Sequence, residues 1–449
     1  MAYDYDVIFI GSGHANWHGA VALKAAGKSV AIVEEGTVAG TCTNWGCNAK
    51  YLLDTPFDYI DGLEHYAGRG LKANAQVDWH ELMEFKKEHI TPMYLGMEAL
   101  FANMGIDLLR GHGKLAGEHA VDVDGTTHTA EFIVIGVGET PNRRDIPGKE
   151  LLHDSKDFLS IDPFPERVAF IGAGIISLEF ASIAAKLGKK ATVVHHNDRA
   201  LKAWPKRFVD KLVAELGADG VEFAFGKNVV RAEQAGDGVL LSFEDGSSLE
   251  VDYVVDATGR SPKVAGLGLE DLGIEFSRKG IVVDDHLRTS VANVFATGDC
   301  IDKAIPKLTP TAEFESNYVA GQILGETDPI CYPATPHLVF TLPRIAQAGV
   351  SVNAAEADPS AYRVEYAPFG TQVPFLAKFD AETEFAFVFA QESGALVGAA
   401  LYGPDAGELI NILSMIIDLK LTQADMRKMI FTFPGTAYGL LSTLIPMMA

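Results

Sequence analysis

A repeat constrains this chain more than any other feature: one strand–glycine turn–helix–strand unit occurs twice, with its first glycines 161 residues apart (172 − 11). Val7-Ile8-Phe9-Ile10 is a short continuous apolar run, as expected of a strand buried on both faces. Gly11-Ser12-Gly13 follows at once. An alanine-rich stretch to Lys28 then reads as a helix, and Ser29 to Val33 as a second strand ending in Glu34-Glu35. In the second copy the strand is Val168 to Ile171, the turn Gly172-Ala173-Gly174, the helix runs to about Leu187, and the next strand is Ala191 to Val194. Glu34 lies 21 residues after Gly13, and His195 lies 21 after Gly174. One such turn is common; two with matched internal spacing specify two dinucleotide-type α/β units.

The turns have a physical task. Gly11 and Gly172 allow a tight reversal, Gly13 and Gly174 let backbone approach a pyrophosphate, and the helix N-terminus presents free amides to its charge. Glu34 is placed to accept hydrogen bonds from an unmodified ribose; the alternative is a solvated carboxylate at a strand end. Asn16 stands where Gly or Ala usually packs helix on strand, which implies local adjustment or an added polar contact. Ser177 fits the same position of the second unit. There the strand ends in His195-His196 rather than an acid, so nothing repels a 2′-phosphate, and His196, Arg199 and Lys202 offer it positive charge. This favours NADPH over NADH, with a solvated basic patch as the alternative.

Elsewhere, Thr127 to Glu131 and Phe132 to Ile135 read as strands and Pro141 to Gly148 as an exit loop. Two further strands run into Ala257-Thr258-Gly259 and Thr297-Gly298-Asp299. Asp328 to Pro336 is a proline-rich linker. Beyond it, Glu384 to Phe389 suggests antiparallel strands, and Ala406 to Leu419 and Gln423 to Met429 suggest helices, an α+β arrangement. With 449 residues, 48% of them hydrophobic, the chain can bury several cores. Its net charge of −23 disfavours nucleic acid and anionic membranes as partners. No apolar run approaches the ~18 residues of a membrane helix, and Met-Ala-Tyr-Asp-Tyr-Asp carries no basic leader. Four cysteines are too few for a disulfide scaffold, which points to a reducing, cytoplasmic setting. No metal site is expected.

The segment Gly40-Thr41-Cys42-Thr43-Asn44-Trp45-Gly46-Cys47-Asn48-Ala49-Lys50 sets two cysteines five apart just after the first unit. In an ideal helix their Cα atoms stand about 8–9 Å apart, beyond the ~7 Å a disulfide tolerates. The pair closes only if the helix start is distorted, which Gly46 permits. Taken alone, the spacing equally describes two buried structural thiols.

With these motifs, the chain resembles the flavoprotein pyridine-nucleotide disulfide oxidoreductases, a family that includes glutathione reductase, dihydrolipoamide dehydrogenase and mercuric reductase. The resemblance rests on the glycine turns, the Cys-x4-Cys segment, Ala257-Thr258-Gly259-Arg260, Phe295-Ala296-Thr297-Gly298-Asp299, Phe340-Thr341-Leu342-Pro343, and Gly398 through Gly403 to Glu408. It implies an α/β fold: two Rossmann-like FAD- and NAD(P)-binding domains plus a C-terminal α+β dimerisation domain. The expected divisions are an FAD-binding domain at 1–150, an NAD(P)-binding domain at 151–272, the return of the FAD domain at 273–330, and the dimerisation domain at 331–449. It also implies a homodimer acting on a small molecule.

The resemblance carries roles onto matching positions. Asp299 holds the ribityl chain, and Thr41, Gly113, Gly138 and Thr309 line the flavin. A redox-active Cys42–Cys47 disulfide is implied, with Cys47 the flavin-side thiolate and Cys42 the thiol that attacks substrate. Lys50 and Glu179 form an ion pair near the flavin, Gly259 belongs to the nucleotide-binding set, and Ile175 stands where many relatives have a gating tyrosine. Cys300 and Cys331 match nothing.

One departure is marked. Where the family's disulfide reductases carry a His-Pro-Thr-x-x-Glu segment, this chain has Phe433-Pro434-Gly435-Thr436-Ala437-Tyr438. Phenylalanine carries no proton, and a tyrosine with an ordinary pKa of about 10 is a poor base at neutral pH. The expected activity is electron transfer from NADPH to a disulfide or related sulfur compound. Reduction of a metal ion or quinone, a carboxylase-type variant and a flavin redox sensor are the alternatives.

Overall fold

The computed structural model describes residues 3–72, 74–378 and 381–448. Met1 and Ala2 of the N-terminus and Ala449 of the C-terminal tail lie outside the described residues.

The first unit forms as its pattern dictates: β1 (Tyr5–Ile10), α1 (His14–Ala25) and β2 (Val30–Glu34). Then come α2 (Gly40–Trp45), α3 (Cys47–His65), α4 (Trp79–Met104), β3 (Asp107–Arg110), β4 (Gly113–Gly117), β5 (Ala120–Val123) and β6 (Thr126–Ile135). The sheet runs β3-β2-β1-β6-β5-β4, and the strand Val294–Ala296 pairs in parallel with β6. Val7, Ile8 and Phe9 are buried in a core shared with α1, the antiparallel strands β4 and β5 and the returning part of the chain.

In this part of the chain two boundaries differ from the sequence reading. The helix read as running to Lys28 stops at Ala25, because Gly27 turns at φ +88° and lets the Lys28 amide donate to Leu23. The two strands read at Thr127–Glu131 and Phe132–Ile135 are one. Nothing between them breaks the chain, so its first half pairs antiparallel with β5 and its second half parallel with β1.

In the second unit, Val221–Phe225, Lys190–His195, Arg167–Ile171 and Tyr253–Asp256 lie in that order in one parallel sheet. The C-terminal part is a five-stranded antiparallel sheet ordered His337–Val339, Ile345–Gly349, Leu396–Tyr402, Glu384–Ala390 and Tyr362–Pro368. The helix Ala406–Asp418 packs on it. The helix read as Gln423–Met429 ends at Met426, where the chain tightens into i→i+3 turns: Lys428 donates to Asp425 and Met429 to Met426.

The return of the chain is what assembles the site. After the strand Val294–Ala296 joins β6, the helix Thr309–Ile323 packs along α1. Contact is close: a Cβ on Gly19 would lie 2.6 Å from the Ser316 carbonyl oxygen, and the Gly19 amide donates to Ser316 Oγ at 2.9 Å.

Candidate active site

The C-terminal ends of β1 and β2 open on a cavity of about 640 Å³, within the ~300–1,000 Å³ usual for ligand sites. Gly11 turns at φ +99°, and a Cβ there would come within 2.7 Å of the Gly136 carbonyl oxygen. Glu34, at the end of β2, accepts from Ser12 N (3.1 Å), Ser12 Oγ (2.5 Å) and Gly36 N (2.7 Å), so the first turn and the strand end are tied together. Gly13, Thr41, Gly113, Gly138 and Asp299 also line this cavity.

Asn16 explains the departure at the third turn position. Its Nδ2 donates to the carbonyls of Ile10 and Gly11, both at 2.8 Å, and its side chain fills the space a Cβ on Gly136 would need. A small residue would leave these carbonyls without that donor. Asn16→Ala is expected to cost about 1–3 kcal/mol and to lower flavin retention. Urea midpoints and bound-flavin absorbance check this.

The cysteine segment distorts as its spacing requires. Helix α2 ends at Trp45, Gly46 interrupts, and Cys47 opens α3. A Cβ on Gly46 would sit 3.0 Å from both Cys42 Cα and the Thr41 oxygen, so glycine is what lets the two short segments fold together. Both cysteines line the cavity as free thiols. Their sulfurs share a proton unequally. The Cys42 thiol donates to Cys47, and this contact, helped by Thr309 Oγ1 at 3.4 Å and the Lys50 ammonium, outweighs burial and brings Cys47 down to about 6. The α3 N-terminus acts in the same sense. The same hydrogen bond, with burial, pushes the Cys42 thiol far up.

Lys50 lies one turn beyond Cys47. Its Nζ donates to both Glu179 oxygens at 2.9 Å and stands 4.0 Å from the centre of the Phe340 ring. Glu179, carried by the helix Ile175–Lys186 of the second unit, also accepts from the Phe340 amide at 2.9 Å. Three distant stretches of sequence therefore meet at one ion pair. Behind it, buried Arg344 donates to Asp54 at 2.7 Å and to Asp58, clamping α3 to the C-terminal sheet. Sequence reading passed over Asp54 and Arg344; only the position of Arg344 directly after the Phe340–Pro343 motif hinted at it.

Asp299 lies on the floor of the cavity. One carboxylate oxygen is buried with no hydrogen-bond partner among the described residues, and burial raises its pKa. Behind it, Glu315 accepts from the Gly298 amide at 2.6 Å and from Lys303 at 2.7 Å, which fixes the turn. An unpartnered buried acceptor on a residue that lines the cavity, two glycine approaches and a strand-end carboxylate fit an adenine dinucleotide with a polyhydroxyl chain, the make-up of FAD.

The other predicted nucleotide residues form a separate group. Gly172 turns at φ +105°, with a Cβ there 2.6 Å from the Ala257 oxygen, which matches Gly11. Gly174 caps the helix that begins at Ile175. His196 and Lys202 are exposed and half-buried His195 lies beside them, but Arg199 turns its guanidinium to the Trp204 carbonyl. Gly259 sits at φ +135° beside Asn142. Phe433 and Tyr438 are not in the cleft. They form an exposed edge-to-face pair, ring centres 5.0 Å apart, on the C-terminal part. Among the described residues, no helix is long and apolar enough to cross a membrane.

Comparison with known proteins accords with this geometry. A family model described as pyridine nucleotide-disulphide oxidoreductase matches residues 5–316, and one for the dimerisation domain of that family matches residues 335–440. The chain is 30% identical to a glutathione reductase of Burkholderia cepacia, covering 97% of each chain. It is 32% identical to dihydrolipoyl dehydrogenase 3 of Pseudomonas putida over 94% of this chain and 93% of the relative. It is 28% identical to a leghemoglobin reductase of Vigna unguiculata over 96% and 85%. A thiol pair at the mouth of a dinucleotide cleft, under two family models that together span most of the sequence, places this chain among the pyridine nucleotide-disulphide oxidoreductases, flavoenzymes that use FAD and NAD(P)H.

Proposed function

We propose that this enzyme draws electrons from NADPH and reduces a small disulfide or related sulfur compound through Cys42 and Cys47, as a homodimer. In this reading residues 1–150 and 273–330 hold FAD, 151–272 hold the nicotinamide nucleotide, and 331–449 pair with a second copy. The observation that carries it is the unequal thiol pair: a sulfur held at about 6 beside one held far up, both on the cavity wall.

When bound, FAD supplies the passage of an electron pair from nicotinamide to sulfur. The residues of the chain position and bias. Gly11, Gly13 and the α1 amides hold the pyrophosphate, Glu34 the adenosine ribose and Asp299 the ribityl hydroxyls. Thr41, Gly113, Gly138 and Thr309 shape the ring site. Lys50, fixed by Glu179, keeps positive charge beside Cys47. Gly172, Gly174, Ile175, His195 and Gly259 shape the nicotinamide nucleotide site. The 2′-phosphate preference rests on His196 and Lys202, because the Arg199 guanidinium is engaged inward.

Alkylation of the reduced enzyme tests the pair. Iodoacetamide should label Cys47 with a rate that rises around pH 6. A rise only near the ordinary thiol value of ~8.5 would remove the basis of the reading.

A further inference from the structure

The thiol assigned to attack substrate is the one held protonated, and Phe433 cannot take its proton. A base has to come from elsewhere. We propose that His14, backed by His18 and Glu313, is the acid/base of Cys42, supplied from within the same chain. The inference rests on the disulfide-reductase reading above.

The placement is on the cavity wall. His14 is the first residue of α1 and lines the same cleft as Cys42 and Cys47. The starts of α1 and α2 abut: a Cβ on Gly40 would stand 2.8 Å from Gly13 Cα, with His14 next to Gly13 and Cys42 two residues after Gly40. His14 Nδ1 is 3.0 Å from His18 Nε2, one turn along α1, and His18 Nδ1 is 3.6 Å from Glu313 Oε1 on the neighbouring helix. Trp17 stacks on the His18 ring, centres 3.5 Å apart, and holds it in plane.

The tautomers follow from one charge and one hydrogen bond. The Glu313 carboxylate, 3.6 Å away and beyond hydrogen-bond reach, favours by its charge the His18 tautomer that turns Nδ1–H towards it and leaves the Nε2 lone pair facing His14. His14 must then donate from Nδ1, which leaves its Nε2 as a lone pair. That atom is buried with no partner among the described residues. Burial lowers both imidazoles, His18 to about 4, so both are neutral near pH 7 and His14 begins as a base. The charged group set against the pair is Glu313.

The chemistry closes. His14 Nε2 takes the Cys42 proton, and the Cys42 sulfur attacks one sulfur of a disulfide R–S–S–R. The S–S bond breaks, and the departing thiolate takes the proton back from His14. The Cys47 thiolate then displaces the second thiolate from Cys42, closing the Cys42–Cys47 bond, and solvent supplies the second proton. The substrate gains two electrons, the dithiol loses two, and NADPH restores them. His14 is the catalytic group; His18 and Glu313 are positioning residues.

The test uses the flavin-loaded enzyme reduced with NADPH, with iodoacetamide labelling of Cys42 located by fragment-ion mass. Wild type should show a rate that rises through an inflection below the ordinary histidine value of ~6.5. H14Q should lose that inflection and react at least about 10-fold more slowly at pH 7. H18Q and E313Q should retain the inflection but displace it. Oxidation by bis(2-hydroxyethyl) disulfide, whose leaving thiol is basic, should fall about 100-fold in H14Q, the lower end for general acid–base catalysis. Oxidation by 5,5′-dithiobis(2-nitrobenzoate), whose leaving thiol is acidic, should change less than about 3-fold.

A wild-type profile superimposed on that of H14Q overturns the assignment. So does loss of flavin in H14Q with unmoved profiles in H18Q and E313Q, which would make His14 a cofactor contact. If Cys42 labelling follows His14 but neither disulfide is reduced, the relay stands and the substrate reading falls. If disulfides are reduced without the inflection, the relay alone falls.

Discussion

Replacing Cys42 by alanine should leave a yellow, NADPH-reducible protein whose turnover of any disulfide falls by 10³-fold or more, on the order seen when a covalent nucleophile is removed. The reason lies in the division of labour between the sulfurs. Cys47 is the acidic partner, at about 6, and sits against Thr309 and Lys50 on the cavity wall. It can receive electrons without Cys42, but it cannot form and then resolve a mixed disulfide alone. Removing Cys42 also removes the hydrogen bond that contributes most to lowering Cys47, so the remaining thiol should titrate higher than in wild type. Steady-state turnover and the alkylation profile of Cys47 read these two effects separately. Retained turnover in Cys42→Ala would show that the exchange runs elsewhere.

The second large effect concerns stability. Arg344→Leu is expected to cost about 3–5 kcal/mol, the usual loss when one partner of a buried ion pair is removed. Asp54 is 1% exposed, and burial raises its pKa to about 6 even with Arg344 beside it. A carboxyl raised in the folded state binds more protons folded than unfolded between about pH 4 and 6. Its contribution is therefore most favourable below the unfolded value and is lost as pH rises through the folded one. Without Arg344 the folded value climbs further, because the nearby positive charge is gone. The deficit of Arg344→Leu against wild type should then be larger at pH 8 than at pH 5. Urea midpoints at the two pH values measure it, and adding Asp54→Asn should recover part of the loss at pH 8. A deficit equal at both would place its origin outside Asp54.

Both predictions concern α3, which carries Cys47, Lys50 and Asp54 on successive turns. Its first turn faces the cleft, and further along it is clamped by Arg344. Cys47 is thus carried by a helix anchored in the C-terminal sheet.

Much of this was legible in the chain itself. Two glycine turns with matched spacing specify two parallel α/β units, because a tight turn, a free helix N-terminus and a strand-end side chain are all local in sequence. The distortion between Cys42 and Cys47 followed from helix geometry and one glycine. The role of Asn16 was half visible: its misfit announced a polar contact, but not which carbonyls it meets. Other features depended on where the chain returns. Lys50, Glu179 and Phe340 meet only because three stretches fold onto one point, and no local pattern encodes that meeting. The same holds for His14 and His18. In sequence they are two histidines on a helix; a carboxylate some 300 residues away in sequence, Glu313, is brought within 3.6 Å of His18 by the packing of Thr309–Ile323 on α1. Turn chemistry is written over a few consecutive residues, whereas the partner of a buried polar group is chosen by the packing of whole elements.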